Sequence, residues 1–253
     1  MQTFERANEI IKLFSLEKTK LNLSEIVELT DLPKSSAYRI CESLVSLGYL
    51  KKDDDKNYSL GLRFLELGSI VLSTLKIREI AMEEISKLHD LTNESIHLGV
   101  RDGTEVISIE GLESNHSLRT KIWIGKRAPL YCTAVGKAIL AFLPKAEREQ
   151  LLRKINFKKY TNNTLIEFDS LLEEIKKIRE NGYAIDNMEH EEDVKCIGAP
   201  IFDIQNSVVA SISLSGPSSR ITKEKENEFA ILVKSSALNI SKKLAASSPV
   251  IGE

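Results

Sequence analysis

Residues 31–50 read DLPKSSAYRICESLVSLGYL, and this stretch constrains the fold more than any other part of the chain. Asp31-Leu32-Pro33 breaks the preceding segment. Pro33 suits the first position of a new helix, where its missing N–H costs nothing. Ala37, Ile40, Cys41, Leu44 and Val45 or Leu47 recur at helical spacing, which predicts a helix from about Pro33 to Leu47 with one buried stripe. The opposite face carries Ser35, Tyr38, Arg39, Glu42 and Ser46, and Gly48 supplies a left-handed stop. A helix that only packs a core has no use for Lys34, Ser35, Ser36, Tyr38 and Arg39 gathered at its start. A helix seated in a DNA groove does. Hydroxyls and lysines meet phosphates, Arg39 can take a guanine bidentately, and Tyr38 can meet a phosphate or a thymine methyl.

The flanks complete a known plan. Phe4, Ala7, Ile10, Ile11 and Phe14 place one face of a first helix toward a core. Ser24 is read as the cap of a second helix, EIVELT, with Glu25 in its first turn, and is counted among the DNA-facing hydroxyls. After Gly48, YLKK, the turn DDDKN and YSL read as a two-stranded hairpin. Helix, helix, turn, helix and hairpin in about sixty residues make a winged helix-turn-helix. Lys51, Lys52 and Lys56 then lie on the wing, beside the flanking phosphates. The competing reading is a solvated face on a three-helix protein-docking module.

Charge lends the DNA reading no help. The chain's formal net charge is −2, and residues 1–63 hold ten Lys/Arg against ten Asp/Glu. The argument therefore rests on where the charges lie, and Asp53 to Asp55 have to turn away from the phosphates. A near-neutral unit binds weakly alone, because affinity scales with phosphates contacted, so two copies on a palindrome are expected.

Other classes are weakened by what is missing. No apolar run is long enough for a membrane helix, and MQTFERANEI lacks the pattern of a secretory signal, so a cytoplasmic address with no membrane partner is expected. Cys41, Cys132 and Cys196 form no CxxC pair and read as free thiols, Cys41 in the core. His89, His97, His116 and His190 lack ligand spacing; no metal and no cofactor are expected, although a site assembled from distant residues stays open.

Residues 61–75 read as a helix joining two domains, and residues 76–92 as another amphipathic helix. ESIHLGV and EVISIEG flank Arg101-Asp102-Gly103 as a hairpin, and SLRTKIWIG is read as a third strand. PLYCTAVGKAILAFL begins as loop and becomes a buried helix. Two surface helices follow, the second stopped by Gly182, and then a short strand, YAIDN. CIGAPIFD and VVASISLSG bracket Ile204-Gln205-Asn206 as a further hairpin, and a long helix capped by Thr222 closes the pattern. The second half is thus an antiparallel sheet flanked by helices.

Thr133 and Gly136 stand where that buried helix starts, and helix N-termini attract anions. Ser213 and Ser215 alternate and share one sheet face, with Asp186 and Cys196 on or beside strands. They make either a small polar pocket or two solvent-facing serines beside an ordinary thiol. Cys196 is a poor candidate nucleophile. His190 is six residues away on an acidic, exposed loop, and Glu189, Glu191, Glu192 and Asp193 raise rather than lower a thiol pKa.

These stretches carry a resemblance. LSEIVELTDLPKSSAYRICESLVSLGYL, YSLGLRFLELG, PLYCTAVGKAILAFLP, IRENGYAIDNMEHEEDVKCIGAPIFD and VVASISLSGPSSRIT, in that order, resemble the IclR family of bacterial transcriptional regulators over nearly the whole chain. The resemblance implies an α+β chain in three parts. Residues 1–60 would be a winged helix-turn-helix, 61–76 a linker helix, and 77–253 a GAF-like effector domain with a mostly antiparallel sheet. It implies a DNA-binding regulator, a repressor of a catabolic operon, acting on palindromic duplex DNA as a homodimer or dimer of dimers. A small organic acid would bind at Thr133, Ala134, Gly136, Asp186, Cys196, Ser213 and Ser215. No catalytic residue is implied. A sensor acting through protein partners and a cysteine-dependent enzyme of small acids remain as rivals. Trp123 departs from the family pattern and is open to either a pocket or a subunit-contact role.

Overall fold

The computed structural model describes residues 2–247 and divides into two compact units, Met1–Leu75 and Lys76–Glu253. The end of the expected effector domain, residues 248–253, lies outside the described residues.

The first unit is α1 (Gln2–Lys12), α2 (Leu23–Thr30), α3 (Lys34–Ser46), β1 (Leu50–Lys52), β2 (Tyr58–Leu60) and α4 (Arg63–Thr74). Ile10, Leu21, Ile26, Ala37, Cys41, Leu44, Leu50 and Tyr58 fill its core. Phe4 does not join them: it is 87% exposed. The cap of α2 also differs from expectation. Asn22, not Ser24, accepts from the amides of Ser24 and Glu25, while Glu25 accepts from the Asn22 amide, which makes a reciprocal capping box. Ser24 lies two residues past the cap, within the first turn and exposed. At the end of α3 the expected glycine stop holds. Gly48 takes φ +78°, its amide donates to Val45 O and that of Tyr49 to Leu44 O, so two orphan carbonyls are satisfied. Leu21 pairs with Tyr58 in both directions and ties the wing to the helices.

The second unit is one six-stranded antiparallel sheet in the order β5-β4-β3-β8-β7-β6. Its strands are β3 (Ser95–Asp102), β4 (Glu105–Leu112), β5 (Arg127–Pro129), β6 (Ala184–Asn187), β7 (Val194–Phe202) and β8 (Val208–Pro217). The buried helix α6 (Ala134–Phe142), with α8 (Phe168–Asn181) behind it, lies over the face that carries Gly198. Helices α5 (Ile77–Thr92) and α9 (Lys223–Ser247) pack together over the other face, and α7 (Lys145–Leu152) lies outside α6. β8 is central and covered on both sides, so it reads as nearly continuously buried.

Residues 117–125 are not a strand. Their backbone groups are met by side chains and a turn instead: Ser95 Oγ donates to Thr120 O at 2.9 Å, Ile122 N donates to Glu113 Oε1 at 3.0 Å, and Lys126 N closes on Trp123 O. The strand in this region is the three-residue β5.

Candidate DNA face and ligand cavity

The geometry of α3 leaves its outer face open within the first unit. Lys34, Ser35, Tyr38 and Arg39 are exposed, and Ser36 is half-buried. Lys34, Arg39, Lys51 and Lys56 make no ion pair among the described residues, whereas other cations nearby are spoken for: Lys20 Nζ pairs with Asp53 at 2.9 Å. Asp53 also accepts from Asn57 N and closes the wing turn, so one of the three troublesome carboxylates has a structural task.

Lys52 differs from the other wing cations. It donates to Glu42 Oε1 at 2.6 Å, where Tyr58 OH also donates at 2.9 Å, and it lies over the Tyr38 ring at 5.4 Å. Glu42 is therefore not a free outer-face carboxylate. It joins α3 to the wing and, with Tyr58 on the same oxygen, anchors the Lys52 ammonium that lies over the Tyr38 ring.

In the second unit, cross-strand pairing assembles a cavity of about 90 Å³. Directly opposed residues of an antiparallel sheet point to the same side. One rung is Ser95, Ser215, Cys196 and Asp186, running across β3, β8, β7 and β6; the next is His97, Ser213, Gly198 and Ala184. The cavity lies between this face and the start of α6. Gly198 permits that approach: a Cβ there would sit 2.8 Å from the carbonyl carbon of Ala134.

Thr133 caps α6, accepting from Gly136 N at 3.1 Å and donating to Pro129 O at 2.7 Å. By helix geometry the amides of Ala134 and Val135 remain as free donors at the cavity. Thr133, Ala134, Asp186, Cys196, Ser213 and Ser215 all line it. Gly136 does not. A Cβ on it would lie 2.4 Å from Leu130 O, so its place is a backbone close approach.

The sequence reading missed His97, Ser108, Thr120, Lys126, His190 and Glu191, which also line the cavity. Ser108 reaches this face through a β-bulge. Gly111 opposes His97 and Ser108 opposes Gly99, so Ile109 and Glu110 on one strand face the single Leu98 on the other. His190 is half-buried rather than exposed, its ring 5.0 Å from that of Tyr160. Trp123 is not among the lining residues; Lys126 lies over its ring at 4.9 Å and reaches Glu191 at 3.5 Å.

Burial governs the electrostatics. It raises the Asp186 carboxyl to about 7, with the Glu189 charge adding to the effect. It raises the Cys196 thiol far above its usual value, with Asp186 adding again, so the sulfur stays protonated. It pushes His97 down to about 4, helped by Lys126. Behind Asp186, Lys137 is fully buried; burial alone would lower its pKa, but Glu189 and Glu174, at 2.5 and 3.1 Å, hold it raised and charged. No group of three or more His, Cys, Asp or Glu side chains among the described residues could hold a metal ion, and no described helix is long and apolar enough to cross a membrane.

Residues 3–54 match a family profile described as the IclR helix-turn-helix domain, and residues 69–242 one described as the bacterial transcriptional regulator IclR C-terminal. The chain is 37% identical to the HTH-type transcriptional regulator KipR of Bacillus subtilis, covering 96% of this chain and 97% of that one. It is similar to the crystal structure of the Thermotoga maritima IclR at 36% identity, TM-score 0.75, covering 96% and 97%. An IclR homolog from Microbacterium hydrocarbonoxydans, solved in complex with 4-hydroxybenzoate, shares the fold at TM-score 0.82 and 23% identity, covering 97% of this chain and all (100%) of that one.

Proposed function

The chain belongs to the IclR family of bacterial transcriptional regulators, and we propose that it is a cytoplasmic repressor of a catabolic operon, released or engaged by a small organic acid. The open face of α3 carries this reading. Lys34, Ser35, Tyr38 and Arg39 stand exposed at the start of a helix-turn-helix second helix, where base edges and phosphates are met. Ser24 and Ser36 join them, with Lys51 and Lys56 on the wing touching flanking phosphates. Lys52 acts mainly as a brace. The sites number nine residues in the sequence reading and cluster on one unit, so a homodimer or dimer of dimers on a palindromic operator supplies the contacts one near-neutral unit lacks.

The second part of the reading is the cavity. The free amides of Ala134 and Val135 and the hydroxyls of Ser213 and Ser215 suit a carboxylate, with Thr133 fixing the helix start and Asp186 and Cys196 on the floor. The relative of similar fold that holds 4-hydroxybenzoate is consistent with an acid. Residues 1–60 would read DNA, 61–76 would relay, and 77–253 would sense. The relay requires that the acid bind two arrangements of the chain with different affinity; typical couplings are about 1–3 kcal/mol.

We assign no catalytic step. A nucleophilic Cys196 needs a thiolate, and burial beside Asp186 keeps the thiol protonated. The protein-docking alternative is separated by salt: operator affinity measured between 50 and 200 mM salt should fall steeply, and a flat response would exclude the DNA reading.

A further inference from the structure

Among the described residues, three polar side-chain atoms around the cavity have no hydrogen-bond partner although they are out of reach of bulk water: His97 Nε2, Ser108 Oγ and Thr120 Oγ1. Leaving such groups unpaired is costly, and native structures seldom do so without a reason. Each is also held in place. Ser95 Oγ fixes the Thr120 backbone, the β-bulge turns Ser108 inward, and His97 is seated in the rung opposite Ser213. Three unpaired groups gathered on one cavity wall look toward a ligand, not toward one another.

We propose that the cavity takes a short acid bearing hydroxyl groups on the carbons beyond its carboxylate, and that Ser108, Thr120 and His97 select those hydroxyls. The proposal rests on the effector-site reading above and adds to it. Burial keeps the His97 ring neutral, so one ring nitrogen accepts and the other donates, and a hydroxyl can satisfy either. Ser108 and Thr120 can likewise donate or accept. Lys126 is already engaged by Glu191 and the Trp123 ring, so the wall offers neutral hydrogen bonding more than a second strong cation. Size narrows the choice. An enclosed cavity of ~150 Å³ admits benzene, and this one, at about 90 Å³, suits a chain of few carbons.

The test is titration calorimetry of the full chain with propionate, lactate and glycerate, which share one acid end and carry no, one and two hydroxyls. Affinity should climb by about tenfold per added hydroxyl, since a site built to bond a hydroxyl rejects the analogue that lacks it. In a Ser108→Ala, Thr120→Val double variant the ladder should flatten, lactate and glycerate losing their advantage over propionate, and the thermal midpoint should not fall, because two buried unpaired polar groups are gone. Equal binding of propionate and glycerate, or a ladder that survives in the double variant, overturns the selection of hydroxyls but leaves the acid site standing. Binding of none of the three acids overturns the effector-site reading itself.

Discussion

Lys137 Nζ donates to Glu189 Oε1 at 2.5 Å with the lysine entirely buried. The pair joins the first turns of α6 to the loop after β6, directly behind Asp186, whose carboxylate accepts from Glu189 N at 2.7 Å. Removing one partner of a buried pair leaves an uncompensated charge and typically costs ~3–5 kcal/mol. We expect Lys137→Met to lower the stability of the second unit by that order, read as a shifted urea midpoint. Lys137→Met combined with Glu189→Met should recover part of the loss, because the two most buried charges leave together while the more exposed Glu174 keeps its own.

In the proposed effector site, Asp186 should make acid binding pH-dependent. Its carboxyl, raised to about 7 by burial and the Glu189 charge, is neutral below that value and anionic above it. A carboxylate ligand therefore meets no repulsion at pH 6 and a facing charge at pH 8. Lys137 stays charged, Cys196 stays a thiol and burial pushes His97 down to about 4, while burial lowers His190 and raises Glu189 beside Asp186. Affinity for an acid should weaken as pH rises from 6 to 8, and Asp186→Asn should flatten the profile. The same shift bears on folding. A raised carboxyl pKa contributes stability that is fully present below its ordinary value, near 3.8, and lost as pH rises through about 7. The difference between wild type and Asp186→Asn isolates it.

Much of the cavity was legible because strands β7 and β8 are regular. Period-two alternation puts Ser213 and Ser215 on one face, and direct pairing adds Cys196 and Asp186. Ser108 was not legible. Counting by two from Gly111 sends it to the wrong face, and only the bulge near Ile109 returns it. Thr120 and Lys126 lie in a segment whose β-branched and aromatic residues look like a strand but whose backbone is satisfied by Ser95 and Glu113. Side-chain satisfaction of a loop leaves no periodic trace. In the first unit the helix pattern and Gly48 stop were readable, while the choice between Asn22 and Ser24 as cap turned on which side chain Glu25 reciprocates.

Arg39 and Lys51 should separate two kinds of DNA contact. Arg39→Ala removes the cation that the groove proposal sets against base edges and should cost ~1–3 kcal/mol of operator binding, with specificity relaxed at one position. Lys51→Ala should weaken all sequences alike and reduce the salt slope by about 1. Both side chains are exposed and unpaired among the described residues, so neither change should move the thermal midpoint. Gel-shift titration against a matched and a scrambled site reads both effects. Wild-type binding by Arg39→Ala and Tyr38→Ala would remove α3 from the groove.

Gly198 offers a test of the cavity that spares every polar lining group. Its φ is ordinary, so alanine meets no backbone strain there; the obstacle is space. The added methyl would stand 2.8 Å from both the carbonyl carbon and the oxygen of Ala134, and 3.1 Å from Val135 N. These are backbone atoms at the capped start of α6 and cannot swing aside as a side-chain tip would. The helix must lift from β7, carrying the free amides of Ala134 and Val135 away from Ser213 and Ser215. Overpacking of this kind costs ~1–3 kcal/mol in stability. Acid binding should fall further than stability does, because the two halves of the proposed carboxylate site sit on the two elements being pushed apart. Calorimetry beside a urea titration reads the two losses separately. If Gly198→Ala bound acids as well as the wild type, the amides at the start of α6 would have no part in holding them.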